Sequence, residues 1–289
     1  MAQRAAEQRA GRRNRLLLAG GAVAVVVGVV LGLVLANGSG GSPSASGTAT
    51  PGPTGTALAA VTRLVTSVPA ATLDQVGAGQ VSALPARITG APLASGGKPE
   101  MLYIGAEYCP YCAAERWAMI VALSRFGTFS GLSTVRSAAH NGAGVAEPFP
   151  DTATWTFSNS TYTSSYLVFT PVEQYTSIPD PATGGYTTLM NLTAGQEALL
   201  AKYDAANQGA IPFIDYGNKF TSVGASYDPS ALKDLTWAQI AADLHDPSSA
   251  VARGVLGTAN YATAALCELT GNKPAAACTA TVRSLQAKI

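Results

Sequence analysis

Residues 99–112 read Pro-Glu-Met-Leu-Tyr-Ile-Gly-Ala-Glu-Tyr-Cys-Pro-Tyr-Cys. Pro99 to Ala106 is a short apolar run behind Gly96-Gly97-Lys98, the pattern of a buried strand after a turn. A helix is expected from Cys109 to Phe126. Its apolar sets Ala113/Trp117/Ile120/Val121 and Met119/Leu123/Phe126 cover most of the circumference, so it should be buried on two sides. Strand, short turn, Cys-x-x-Cys and helix, in that order, have a chemical logic. Cys109 falls at the helix N-terminus, where free amides and the macrodipole favour a thiolate, and Cys112 lies one turn further in. A lowered pKa makes the outer sulfur both the better leaving group and the attacking thiolate. Pro110 suits the first turn, where the N–H it lacks would have had no partner.

Outward from this stretch, Leu58 to Val68 is apolar at helical spacing and Leu132 to Ala138 is a second strand candidate. Residues 151–176 are rich in Thr, Tyr, Trp, Phe and Val, which predicts a long β-hairpin around Asn159. Thr193-x-x-Gln196 is a capping box opening a helix to Ala206. Ile211 to Tyr216 and Phe220 to Ala225 flank a turn and form a further hairpin. Leu235 to Leu244 is helical, Asp246-Pro247 opens a helix to Leu269, and a last helix starts at Pro274. The pattern predicts an α/β or α+β class built on a mixed sheet flanked by helices.

The N-terminus has a different composition. Leu16 to Ala36 is 21 residues of Leu, Val, Ala and Gly without a charge, spanning roughly 31 Å as a helix, the thickness of a bilayer core. Arg12, Arg13 and Arg15 precede it, so residues 1–15 are expected to stay cytoplasmic and the rest to lie outside. The run is longer than a signal-peptide core, which favours an uncleaved single-pass anchor in the cell membrane. Residues 37–56 hold 17 Gly, Ser, Pro or Thr out of 20, a flexible linker. Residues 57–289 are then an extracytoplasmic domain, large enough for a substantial core. The whole chain carries a net charge of +1 and only 12% charged residues. Beyond the Arg-rich start the balance is mildly acidic, against nucleic-acid binding.

Tyr103-Ile-Gly-Ala-Glu-Tyr-Cys-Pro-Tyr-Cys resembles the active-site segment of the thioredoxin superfamily, and Cys-Pro-Tyr-Cys is the form seen in glutaredoxins. Ile211-Pro212, at the start of a strand leading into a hairpin and a helix, is similar to a second hallmark of that superfamily. There the matching proline is cis, packs on the dithiol and presents backbone groups to substrate. The layout of anchor, tether, dithiol segment and C-terminal Cys pair resembles an actinobacterial membrane-anchored family, domain of unknown function 929. The resemblance implies a thioredoxin-like domain with an inserted β-rich segment at about 139–192 and a C-terminal helical extension at about 247–289. It implies thiol–disulfide exchange with exported proteins, Cys109 as nucleophile, Cys112 as resolving thiol, and Pro110, Tyr111, Ile211 and Pro212 as substrate contacts. No cofactor is called for, and a membrane redox partner would recycle the dithiol. The chain departs from the superfamily in one respect: Tyr103 stands where thioredoxins keep a buried acid. Glu107 is expected to face solvent, and no Lys or His flanks the dithiol in sequence.

Other readings stay open. Cys-x-x-Cys is half of a zinc site, but Cys267 and Cys278 are eleven apart and His140 and His245 are scattered, so no metal is expected. Cys109 and Cys112 could form an inert bridge on a binding or scaffold module that performs no catalysis. Cys267 and Cys278 are expected to staple a helical hairpin as a structural disulfide, with a redox shuttle as the rival role. Trp117, Trp155 and Trp237 sit in apolar runs and are assigned to the core.

Overall fold

The structure, a computed structural model, describes residues 51–289. The expected cytoplasmic tail, the transmembrane helix and all but the end of the linker lie outside the described residues. Two helices come first, α1 (Gly55–Thr66) and α2 (Ala70–Val76); α1 already begins within the stretch assigned to the linker. Val61, Leu64, Val65 and Leu73 anchor them in the main core. Among the described residues no single helix is long and apolar enough to cross a membrane; α1 and α2 pass that test only as a pair bent by 57°.

Two short strands, β1 (Ala86–Arg87) and β2 (Ala94–Ser95), precede β3 (Lys98–Gly105), which is the strand expected at 99–106. Its residues alternate between two cores: Met101 and Tyr103 belong to the larger cluster, Leu102 and Ile104 to a smaller one, as a period of two requires of a strand covered on both faces. The chain leaves β3 through the turn Ala106–Cys109 and enters α3 (Pro110–Ser124), buried around nearly its whole circumference. The next four strands, β4 (Gly127–Ser130), β5 (Ser133–Arg136), β6 (Ala153–Thr156) and β7 (Thr161–Ser164), form two antiparallel pairs, β4 with β7 and β5 with β6. The chain returns to the central sheet as β8 (Val168–Glu173), parallel to β3, with Gly105 opposite Glu173. A hairpin of β9 (Tyr175–Asp180) and β10 (Gly185–Thr188) follows, then α4 (Ala194–Tyr203) behind the Thr193–Gln196 capping box.

Antiparallel strands β11 (Phe213–Tyr216) and β12 (Phe220–Val223) complete the sheet, whose order is β1-β12-β11-β3-β8, with β2 folded back on the start of β3. The chain ends in α5 (Trp237–Asp243), α6 (Ala250–Leu269) and α7 (Ala280–Gln286). Helices α3 and α6 pack together over the large cluster. Leu199, Leu200 and Tyr203 of α4 cover the small one. The fold is thus a mixed sheet between helical layers, seven α-helices among the described residues.

Several expected elements are corrected. The stretch 151–176 is not one hairpin: Asn159 takes φ 63°, and the strands on either side pair with β5 and β4 rather than with each other. Its β-branched and aromatic residues mark strands, but composition does not name a partner. Leu132–Ala138 yields β5 in a small separate sheet, whereas the parallel neighbour of β3 is β8. The stretch 139–192, expected as an insertion, therefore contains a strand of the central sheet. Helix α6 starts behind Ser249, whose hydroxyl accepts from the Ala252 N–H at 2.9 Å, while Asp246 closes a turn on the Ser248 N–H. Helix α7 starts behind Thr279, so Cys278 precedes the helix and is not inside it.

Candidate active site: the Cys109–Cys112 dithiol

Cys109 is the N-cap of α3. Its backbone is extended (φ −72°, ψ 121°), Pro110 is the first helical residue, and the Cys109 Sγ accepts the Cys112 N–H at 3.2 Å. Both residues are thiols; Cys109 is 4% exposed and Cys112 fully buried. A sulfur at this position replaces the oxygen of an ordinary Ser or Asp cap, so an ionised Cys109 meets the donors a capping carboxylate would use. Burial opposes its ionisation. Hydrogen bonds from the Cys112 thiol and amide, the Arg116 charge and the Tyr111 amide outweigh that cost and hold Cys109 below the usual thiol value. Burial pushes Cys112 well above it, and the bond and charge of Cys109 add to the rise. One sulfur is set up to be a thiolate and its neighbour to keep its proton.

The second wall of the site comes from a distant part of the chain. The Ile211–Pro212 peptide is cis, and the Cys109 thiol donates to the Ile211 carbonyl at 3.7 Å. β11 fixes this placement, because Phe213 pairs with Ile104 just before the turn to Cys109. The Gly224 N–H holds the Pro212 carbonyl at 2.9 Å. Ile211 and Tyr108 pack on the cluster of Ala106, Cys109 and Cys112. Of the other expected contact residues, Pro110 and Pro212 are buried, and Tyr111 is 38% exposed with its ring edge-on to Phe149 at 6.0 Å. The β9–β10 hairpin closes a third side: Tyr186 stacks on Tyr108 at 3.9 Å, and Tyr175 lies 6.2 Å away.

Beneath the sulfurs lies a buried ion pair. Arg116 and Glu173 are wholly inaccessible and 3.0 Å apart. Arg116 Nη1 also donates to the Tyr103 hydroxyl at 3.2 Å. Gly105 makes room for that hydroxyl, which would lie 2.1 Å from a Cβ at this position. The sequence carries half of the signal, since Arg116 is four residues after Cys112 and so on the same helix face. Glu173 could be placed only by knowing that β8 pairs with β3. Glu107, expected to face solvent, is half-buried; its N–H donates to the Tyr175 carbonyl at 2.9 Å, and its carbonyl accepts from Arg116 Nη2 at 3.3 Å.

Cys267 and Cys278 form a disulfide with a Cα–Cα distance of 5.8 Å, joining the end of α6 to the turn before α7. Among the described residues no group of three or more His, Cys, Asp or Glu is placed to hold a metal. His140 is exposed, and His245 contacts the Leu64 carbonyl through Nε2 at 3.1 Å. Trp117, Trp155 and Trp237 are buried.

Residues 85–268 match the family described as Domain of unknown function (DUF929). The chain belongs to that family. No curated protein and no solved structure matches it. The DUF929 region spans the dithiol, the cis peptide, the Arg116–Glu173 pair and Cys267.

Proposed function

We propose that this DUF929 protein is a thiol–disulfide oxidoreductase with a thioredoxin-like domain. The observation that carries the reading is the meeting of the N-capping Cys109 sulfur with the carbonyl of the cis Ile211–Pro212 peptide. A strand, the dithiol helix and a parallel strand, followed by a helix and a hairpin entered through that peptide, agree with it.

In the reducing direction, the Cys109 thiolate attacks one sulfur of a client disulfide. That bond breaks, a mixed disulfide forms, and the second client sulfur leaves as a thiolate that takes a proton from water. Cys112, deprotonated in its turn, attacks Cys109, releases the first client sulfur, and leaves a Cys109–Cys112 disulfide. Two electrons have passed to the client. The reverse sequence oxidises a client dithiol. Residues 16–36 anchor the domain on the outer side of the membrane, its clients are exported proteins, and a membrane redox partner restores the dithiol.

Replacing the resolving thiol tests this. A Cys112→Ala variant expressed in cells should accumulate mixed disulfides through Cys109, seen as reducible high-mass bands. The absence of such bands, together with no insulin disulfide exchange by the wild type, would sink the reading.

A further inference from the structure

The Arg116–Glu173 pair is costly. Moving each ion out of water into a protein interior is heavily penalised, and well-packed apolar residues of the same volume commonly match or exceed the stability of such a pair. A reason for this pair other than stability lies in the remaining bonds of the guanidinium. Arg116 Nη1 donates to the Ala106 carbonyl at 3.1 Å and Nη2 to the Glu107 carbonyl at 3.3 Å. Nε reaches Thr154 Oγ1 at 3.4 Å, and that hydroxyl donates to the Ala113 carbonyl of α3 at 2.7 Å. One side chain, rooted a turn below Cys112, thus grips the first two carbonyls of the turn that delivers Cys109 to the helix. Only arginine has a rigid fork with enough donors for that arrangement.

We propose that Arg116 is a positioning residue of the dithiol: it fixes the Ala106–Glu107 turn beneath Cys109 and sets positive charge under the two sulfurs. The inference rests on the thiol–disulfide reading above and identifies what tunes that site. The charge of Arg116 favours the thiolate of both cysteines. The other titratable groups around Cys109 are Cys112 on α3, Tyr103 on β3, Tyr108 in the turn and Tyr186 on β10 with Glu147 beside it. Burial pushes the three tyrosines above their usual value, so they stay neutral while Cys109 titrates.

The test is the pH profile of Cys109 alkylation by iodoacetamide in the reduced full-length protein, read by mass spectrometry. The double variant Arg116→Met/Glu173→Leu removes fork and charge without stranding a carboxylate. Its Cys109 should react about tenfold more slowly at pH 6, the effect of moving the profile up by one pH unit. Glu173→Gln should do the opposite, because it keeps the guanidinium and removes its counter-charge; Cys109 then reacts faster at pH 6. Profiles that coincide with the wild type in both variants, with cooperative melts, overturn the proposal. If the double variant does not fold, Arg116→Lys takes its place: it keeps a charge but lacks the fork, and a slower Cys109 supports the proposal while an unchanged one overturns it. Insulin reduction by the wild type is scored separately. Its failure removes the exchange activity and leaves the Arg116 result to the alkylation profiles.

Discussion

Cys109 and Cys112, like Cys267 and Cys278, are a buried pair separated by a short length of chain, yet one pair stands at the start of a helix and the other at the end of one. At the start of α3 the free backbone groups are N–H donors, and one of them points at the Cys109 sulfur. In the last turn of α6 the free groups are carbonyls. The Cys267 carbonyl takes the Asn272 N–H at 2.7 Å, and its sulfur has gone into a bond with Cys278. Amides and Arg116 stabilise a thiolate at the first pair. At the second, the carbonyl end of a helix and the apolar core around it make a thiolate costly. The same residue type thus meets donors that favour a thiolate at one helix end and is bonded to a second cysteine at the other.

Cys109→Ser should lower insulin disulfide exchange on the order of 10³-fold or more, as loss of a nucleophile does. The serine hydroxyl can take over the cap on the Cys112 N–H, so the melting temperature should hardly move. Exchange that survives this substitution would place the nucleophile elsewhere, with Cys267 or Cys278 the first suspects.

The seam between the two regions carries the next largest effect. Tyr227 fills it: its hydroxyl donates to the Ala114 carbonyl of α3 at 3.0 Å, and its ring lies against Gly254 of α6, where a Cβ would meet it at 2.6 Å. Beside it Glu115, 1% exposed, accepts a short hydrogen bond from the Ser226 N–H. Burial pushes this carboxyl up from 4.5 to about 7, more than the Ser226 bond pulls it down. The folded chain therefore holds this proton more tightly than the unfolded chain. The stability so gained is complete below about pH 4.5 and is lost as pH rises through about 7, an effect of up to about 3 kcal/mol. Denaturant titrations at pH 5 and pH 8 should show the wild type weaker at pH 8, and Glu115→Gln should remove most of that difference. Asp215, pushed up to about 6 by burial, contributes a residual slope of the same sign. An undiminished slope in Glu115→Gln would mean that Glu115 is ionised throughout.

The two regions were not equally legible in the sequence. The dithiol end was, because its signals are local: the short apolar run Pro99 to Ala106, a cap position, a first-turn proline and helical spacing all lie within residues 99–126. What lay beneath it was not. Glu173 reaches Arg116 only because β8 returns to pair with β3, and nothing in residues 151–176 says which neighbour each short strand will take. The stapled end was legible as a pairing but not as geometry. Pro274 looked like a helix start, yet its peptide is cis and the turn it begins runs to Thr279, the true cap. Caps of Ser or Thr hidden among other small polar residues, such as Ser249 after Ser248, are chosen by which hydroxyl can reach the third amide on.

The smallest effect is expected at the stapled end. Replacing Cys267 and Cys278 together with Ser removes a bridge across a sequence separation of 11, worth about 2–3 kcal/mol by the chain-entropy estimate. That loss should not be total, because the two segments are also tied by other bonds. The Arg125 guanidinium, at the C-terminal end of α3, donates to the Ala277 carbonyl at 2.7 Å and to Asn260 and Thr263 of α6. The Thr279 hydroxyl donates to Asp74 of α2 at 2.9 Å. The double-serine protein should therefore melt lower but still cooperatively, with its insulin exchange rate within about twofold of the wild type. Arg125 grips this turn from the same helix whose other end holds Cys109, so a rigid α3 would pass any loosening at Ala277 along its axis. Unchanged alkylation of Cys109 in the double-serine variant would show that the two helix ends act independently. Slower alkylation with the melting temperature preserved would show instead that the staple serves the reactive pair, and the division of labour between the two cysteine pairs would fall.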